Sequence, residues 1–384
     1  MRNLYGLAGV GVIVCLCCVA AQARAEEAST TEASLEFILP AVQDAFSIYV
    51  RPAGPSGELV FKQEPAYAGD TVYRNALRLG DAPSDFIGMA YDVAAHTLYI
   101  DHNRNLDLTD DGPGITAEDG AGQGYARFLN VAIELTHEGV PVHYILDINF
   151  YGDYINAFVR SGWKGEFEIA GTQCVLGIAD NMDGVFDFSD AFLFEHEKHR
   201  DVRLPYGQAN ELQLPKWLYF EGQSYHIESA LRVVDGETAL AVTLTSITED
   251  LMSIDFEGAF VSRVLLLGRA NNVGKMLMLD FPEPTMRIPQ GEYIFQRVDL
   301  LDSFRGYVRG ENKLESGDNA LLKTGGPVKQ KVTAYRTGNR LRLDYALQGV
   351  DGVAYQPDSL YQNHAQFAIY QGERKILTDN FEYG

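Results

Sequence analysis

Arg340-Leu341-Arg342-Leu343-Asp344-Tyr345 alternates charged and apolar residues without a break, which puts Leu341, Leu343 and Tyr345 on one side of an extended chain. Alternation with a period of two marks a β-strand with one buried face. Glu166-Phe167-Glu168-Ile169 repeats the pattern. Val142 to Phe150, Phe260 to Leu267, Met276 to Leu279 and Phe367 to Tyr370 are short apolar runs bounded by Gly, Asn, Asp or Pro. Turn dipeptides such as Asp235-Gly236, Gly325-Gly326 and Asp351-Gly352 separate the candidate strands. No long stretch carries a 3.6-residue period between capping signals. The expected fold class is therefore all-β, built of tandem antiparallel β-sandwich units rather than βαβ units.

The 384 residues hold 31 basic and 53 acidic side chains, a formal charge of −22. A partner held by phosphate contacts needs a basic footprint, so this balance argues against nucleic acid. Apolar residues make up 46% of the chain, enough for packed cores and too much for disorder. Residues 1–25 read as a secretory signal: Arg2, an apolar stretch from Leu4 to Ala21, then Ala23-Arg24-Ala25 before Glu26-Glu27. The length of that stretch leaves an uncleaved anchor as the alternative. Cys15, Cys17 and Cys18 lack the preceding small residue that lipoprotein processing requires. Beyond residue 25 no apolar run approaches the roughly 18 residues of a membrane span. The expected location is exported, periplasmic or extracellular. Cys174 is then the one remaining thiol, set in an apolar strand, and reads as a small buried hydrophobe.

Residues 26–45 are polar and small at their start and read as flexible. Pro205 and Pro215 flank a polar stretch that ends an N-terminal β unit, 46–200, and opens a middle β-sandwich, 201–308. A Gly-, Asn- and Lys-rich stretch from Arg309 to Pro327 precedes a small C-terminal sandwich, 325–384.

Two aspartate-rich segments carry the chemistry. In Asp101-His102-Asn103-Arg104-Asn105-Leu106-Asp107-Leu108-Thr109-Asp110-Asp111, oxygen side chains fall on alternate positions. Calcium takes six to eight oxygen ligands at about 2.3–2.6 Å, and alternate residues of a tight loop can point that many inward. The candidate ligands are Asp101, Asn103, Asn105, Asp107 and Thr109, with Leu108 as an apolar anchor. Asp180-Asn181-Met182-Asp183-Gly184-Val185-Phe186-Asp187-Phe188-Ser189-Asp190 echoes it at an offset of 80 residues. Its candidate ligands are Asp180, Asp183, Asp187 and Asp190. The bland alternative is a pair of acidic turns held by their own side chain to backbone bonds.

Both loops resemble the calcium loops of dockerin modules and EF-hand-like repeats. Leu106 stands where that family prefers Gly, Gly112 where it supplies a bidentate acid, and Val185 where it supplies a ligand. Asp110, Asp111 or Glu118 is a substitute for the missing acid. Neither loop is flanked by amphipathic helices, so cohesin binding does not transfer. Separately, Pro289-Gln290-Gly291-Glu292-Tyr293 resembles the Pro-x-Gly-x-Tyr turn of transthyretin-like and carboxypeptidase-regulatory-like sandwiches. That resemblance implies an immunoglobulin-like or transthyretin-like sandwich and carries no active-site residue.

Catalytic motifs fail on spacing. Glu195-His196-Glu197-Lys198-His199 separates its histidines by three rather than four and reads as a solvated charged turn. Gly268 to Met276 has five residues between Gly268 and Gly274, and Met276 in place of Ser or Thr, so it is no phosphate loop. Aromatic residues around Tyr151, Trp163 and Trp217 read as core before they read as a sugar platform. The expectation is an exported, non-catalytic structural, adhesion or ligand-binding protein with structural calcium and an extracellular glycan or protein as partner. The alternative is a secreted polysaccharide-acting hydrolase or its accessory module, with its acids hidden among the 53.

Overall fold

The computed structural model describes residues 28–39, 48–50, 52, 59–80, 85–118, 124–200, 212–301, 304–307, 313–314, 320–338, 340–357 and 366–381. The expected signal segment, 1–25, lies outside them. The chain is all-β, with several sheets that are antiparallel apart from two parallel pairings.

The largest sheet runs Ala191–His196, Thr172–Ala179, Gly162–Ile169, Thr30–Ile38, Glu237–Ser246, Gln223–Val234, Trp217–Phe220, Met276–Asp280, Val261–Arg269 and Glu292–Leu300. It continues through Phe304–Tyr307, Ala354–Pro357 and Arg340–Gln348 to an edge at Lys329–Thr337. Thr30–Ile38 falls in the stretch expected to be flexible. It pairs with Gly162–Ile169 on one side and Glu237–Ser246 on the other, so both edges of this strand are hydrogen-bonded. Two four-stranded sheets cover the N-terminal part. One is Ile48–Val50, Tyr154–Val159, Val140–Tyr151 and Ala126–His137; the other is Val72–Arg78, Phe86–Asp92, Thr97–Ile100 and Ile115–Thr116.

Two large cores lie on opposite sides of a shared wall. Along Met276–Asp280 every residue is buried, yet the residues alternate in destination. Met276 and Met278 join a core with Leu35, Phe128, Leu176 and Leu240, whereas Leu277 and Leu279 join one with Ile254, Ile288, Tyr293 and Val298. Trp217–Phe220 and Val261–Arg269 divide in the same way: Leu218 and Leu265 face the first core, Trp217, Tyr219, Val264 and Leu266 the second. A strand covered on both faces needs a continuous apolar run instead of an alternating one, which is what these segments contain. The first core thus joins residues on both sides of the 200/201 boundary expected from sequence. The second reaches Leu347 and Tyr355 in the C-terminal part.

Two local readings have clear physical causes. Tyr293 is buried and its hydroxyl donates to the Pro289 carbonyl at 2.8 Å, closing the Pro-x-Gly-x-Tyr turn on itself. A Cβ at Gly291 would lie 2.1 Å from Asn272 Nδ2, so a larger residue there has to displace that side chain. Cys174 is buried, and burial pushes its thiol up to about 12, so it stays protonated and unreactive.

Candidate metal centre

Asp180 immediately follows the strand Thr172–Ala179, and Asp190 immediately precedes Ala191–His196; the loop between these two paired strands turns back on itself. Asp180 and Asp190 are 0% and 1% exposed. With Asp183 they bring three carboxylates together, with oxygen atoms within 4.8 Å of one another. Asp190 fastens both ends of the loop: Oδ1 accepts the Asn181 N–H at 3.0 Å and Oδ2 the Asp187 N–H at 2.8 Å. Asp180 accepts the Gly184 N–H at 3.1 Å and the Tyr144 hydroxyl proton. Asp187, the fourth residue named from sequence, turns aside to accept the Ser189 N–H and hydroxyl.

Burial raises the pKa of each member of the trio, and the neighbouring carboxylates add to it. Asp180 is pushed up to about 7. Three acids that must share a low-dielectric pocket resist ionising together. Among the described residues no Lys or Arg forms an ion pair with them.

The strand Val140–Tyr151 supplies the wall of this pocket. Its inward-facing series Val142, Tyr144, Leu146, Ile148 and Phe150 is buried, and Tyr144 is the one member with a polar end. Tyr144 Oη also meets His137 Nε2 at 2.9 Å, linking the acids to the end of the neighbouring strand. Gly184 packs on His137: a Cβ there would fall 2.2 Å from Nδ1, and its φ of +72° already favours glycine. Burial and the charge of Arg104, from the first loop, both lower the His137 pKa. Neither Tyr144 nor His137 carries a sequence signal, because each is an ordinary member of an alternating strand.

The first loop is organised differently. Asp101 is buried, and its two oxygens accept backbone N–H groups of Asn105 at 3.0 Å and Leu106 at 2.9 Å. Asn103 and Asn105 donate their side-chain amides to the two oxygens of Asp110 at 3.1 and 2.9 Å. Asp111 Oδ1 accepts the His102 N–H at 3.1 Å, and Asp107 Oδ1 accepts the Thr109 N–H at 2.9 Å. Leu106 takes φ +67° without being glycine, and Leu108 is buried beside Phe61 and Ala90 as its anchoring role requires. Asp101, Asn103, Asn105, Asp107 and Thr109 thus sit in one loop, but its carboxylates do not form a converging trio.

Matching hydrogen-bond roles pair Asp101 with Asp180 and Asp111 with Asp190, an offset of 79. Asp107 and Asp187 keep the offset of 80, each capping the Thr or Ser two residues on. The second loop holds one more residue before this middle Asp and one fewer after it, so an ungapped alignment misplaces the ends.

A second buried centre was unexpected. His196 and His199, read from sequence as part of a solvated turn, are 5% and 3% exposed. The charged residues of that turn, Glu197 and Lys198, are the exposed ones. Asp280 lies between the histidines, with Oδ2 2.7 Å from His196 Nε2 and Oδ1 3.0 Å from His199 Nε2. Arg263 Nε donates to Asp280 Oδ1 at 3.0 Å, and its Nη2 reaches the Phe194 carbonyl and, at 3.2 Å, His199 Nδ1. Hydrogen bonds from both histidines and the Arg263 charge overcome desolvation and hold Asp280 well below the usual carboxylate range. Burial, with Arg263 beside it, lowers His199 to about 4. A neutral His199 donates from Nε2 and accepts at Nδ1. Arg263 supplies the positive charge that balances Asp280, so this centre already holds its cation. Its signal in the sequence was a charged residue inside one apolar run, Arg263, and another closing a second run, Asp280.

The aromatic residues divide as well. Trp163 and the whole of Trp217–Phe220 are buried, whereas Tyr125, Tyr151 and Tyr154 are exposed. No protein-family model matches the chain, and no curated protein or solved structure gives a match to it.

Proposed function

We propose that this chain is an exported, non-catalytic structural or ligand-binding protein whose second aspartate loop is fixed by one calcium ion at Asp180, Asp183 and Asp190. The observation that carries this reading is a contrast between buried carboxylates. Asp280 has Arg263, and Asp299 has Arg297 and Arg305 at 2.7 and 3.1 Å. The Asp180 trio has only N–H groups, one hydroxyl and its own like charges. An all-oxygen, multiply anionic pocket suits a hard divalent cation, and calcium tolerates the irregular geometry of a loop better than magnesium does. Asp180 Oδ1 and both Asp190 oxygens accept one N–H each and so keep a lone pair for a cation.

The tandem sandwich arrangement, and a glycan or protein as the ligand, belong to the same reading. In that picture the ion holds the loop against Tyr144 and joins two strands of the main sheet to the Val140–Tyr151 hairpin. Binding to the folded chain alone stabilises it by mass action.

Thermal melts in EDTA and then in millimolar calcium test this. A calcium-dependent rise of several degrees, lost in Asp190→Asn and not reproduced by magnesium, supports the reading. Equal melting temperatures in EDTA and calcium at pH 8 overturn it.

A further inference from the structure

The C-terminal edge of the main sheet extends as a two-stranded ribbon. Lys329–Thr337 pairs with Arg340–Gln348 in unbroken antiparallel register, from Lys329 opposite Gln348 to Thr337 opposite Arg340. At roughly 3.4 Å per residue it reaches about 30 Å. Every residue of Lys329–Thr337 except Thr333 is exposed, so neither face of that strand is covered. A two-stranded ribbon with both faces in water is marginally stable on its own, which points to something that covers it.

The register sorts the ribbon into two unlike faces. Val332 opposite Tyr345, Ala334 opposite Leu343 and Arg336 opposite Leu341 make an apolar face ending in one arginine. Lys331 opposite Ala346, Thr333 opposite Asp344, Tyr335 opposite Arg342 and Thr337 opposite Arg340 make a mainly basic one, in which Arg342 pairs with Asp344 at 2.9 Å. At the base the apolar face is occupied: Leu347 is buried and Tyr345 stacks on Phe381 at 5.0 Å. Beside and beyond Tyr345 it is open: Val332, opposite Tyr345, and Leu341, near the turn, are 55% and 52% exposed. The ribbon carries Lys329, Lys331, Arg336, Arg340 and Arg342 against Asp344 alone, in a chain whose net charge is −22.

We propose that this ribbon docks on the surface of an anionic phospholipid bilayer, with Val332, Ala334, Leu341 and Leu343 turned into the headgroup region. Charge complementarity and the segregation of the two faces choose this occupant. An element that lies in a membrane interface keeps apolar residues on one face and Lys and Arg on the other, where they meet anionic headgroups. A protein partner would instead meet charges arranged as a rim around an apolar patch on the same face. At physiological salt charges are screened over about 8 Å, so the approach of the ribbon to a surface is governed chiefly by the charges that it carries itself.

Trypsin reads the contact at the ribbon itself, whatever the N-terminal segment does. The full chain is digested with phosphatidylglycerol vesicles or with phosphatidylcholine vesicles, and cleavage after Arg336, Arg340 and Arg342 is followed by mass spectrometry. Cleavage at these sites slows at least tenfold with phosphatidylglycerol and not with phosphatidylcholine. The protection is lost in Val332→Ser/Leu341→Ser, whose sites are half exposed, and in Lys329→Glu/Lys331→Glu, which keeps the apolar face. Equal cleavage with both vesicles overturns the proposal, as does protection that either variant retains. Protection that grows with protein concentration without lipid also overturns it and assigns the face to a second copy.

Discussion

Arg263 donates Nε–H to Asp280 Oδ1 at 3.0 Å where both side chains are almost wholly out of water. The pair bridges neighbouring strands of the shared wall and reaches the last strand before the 200/201 boundary through His196 and the Phe194 carbonyl. It is therefore an internal clamp between parts of the chain that are far apart in sequence. The desolvation of such a pair makes it a weak source of net stability, but an expensive one to break.

Arg263→Leu leaves Asp280 buried without its cation. We expect a loss of about 3–5 kcal/mol in urea unfolding at pH 7, with much of it recovered when Asp280→Leu is added. A loss under 1 kcal/mol in the single variant would mean that water enters the cluster.

His199 gives the clamp an acid-sensitive side. Its folded pKa is about 4, below the ordinary histidine value, so between roughly pH 6.5 and 4 the unfolded chain binds a proton that the folded chain does not. Stability then falls as pH drops through that window, by up to about 3 kcal/mol. Urea curves at pH 7 and 4.5 measure the slope, and His199→Gln flattens it.

The acid trio titrates with the opposite sign. Asp180 keeps its proton in the folded state up to about pH 7, above its unfolded value. Without a cation its contribution is fully present at low pH and is lost as pH rises through 7. Calcium replaces that proton, so the calcium-dependent rise in melting temperature is small at pH 5.5 and large at pH 8. Asp180→Asn, compared with the parent at each pH, isolates this from the His199 effect.

Gly184→Ala places a methyl group against the His137 ring at φ +72°. Strain of about 1–3 kcal/mol is expected, together with a weaker response to calcium, because the Gly184 N–H bond to Asp180 must shift. Chemical denaturation in EDTA reads the first effect, and the calcium shift reads the second.

Asp101→Ala removes the acceptor of two backbone N–H groups in the first loop. A loss of roughly 1–3 kcal/mol should appear equally in EDTA and in calcium. A larger loss in calcium than in EDTA would add an ion to this loop.

Some of this was legible without a structure. Asp180, Asp183 and Asp190 stand out because Asp spacing in a tight loop is a local property. Tyr293 could be read for the same reason, since its hydroxyl closes on Pro289 four residues back, and Leu108 could be read as the one apolar residue at its point in the loop. Tyr144 and His137 could not, since their importance comes from facing a loop about 40 residues further along. The histidines of the Glu195–His199 segment were misread because their spacing fits no helix-borne metal motif. Their partners, Arg263 and Asp280, lie about 64 to 84 residues away.

The sequence by itself determined the all-β class, the strands and their turns, and the loops that concentrate carboxylates, because alternation and turn chemistry act over two to four residues. Only the tertiary structure decided which carboxylates would be left without a cation. Strand register across the sheets places Arg263 beside Asp280 and no base beside Asp190, and register is fixed by burial over the whole core rather than by neighbours in the chain.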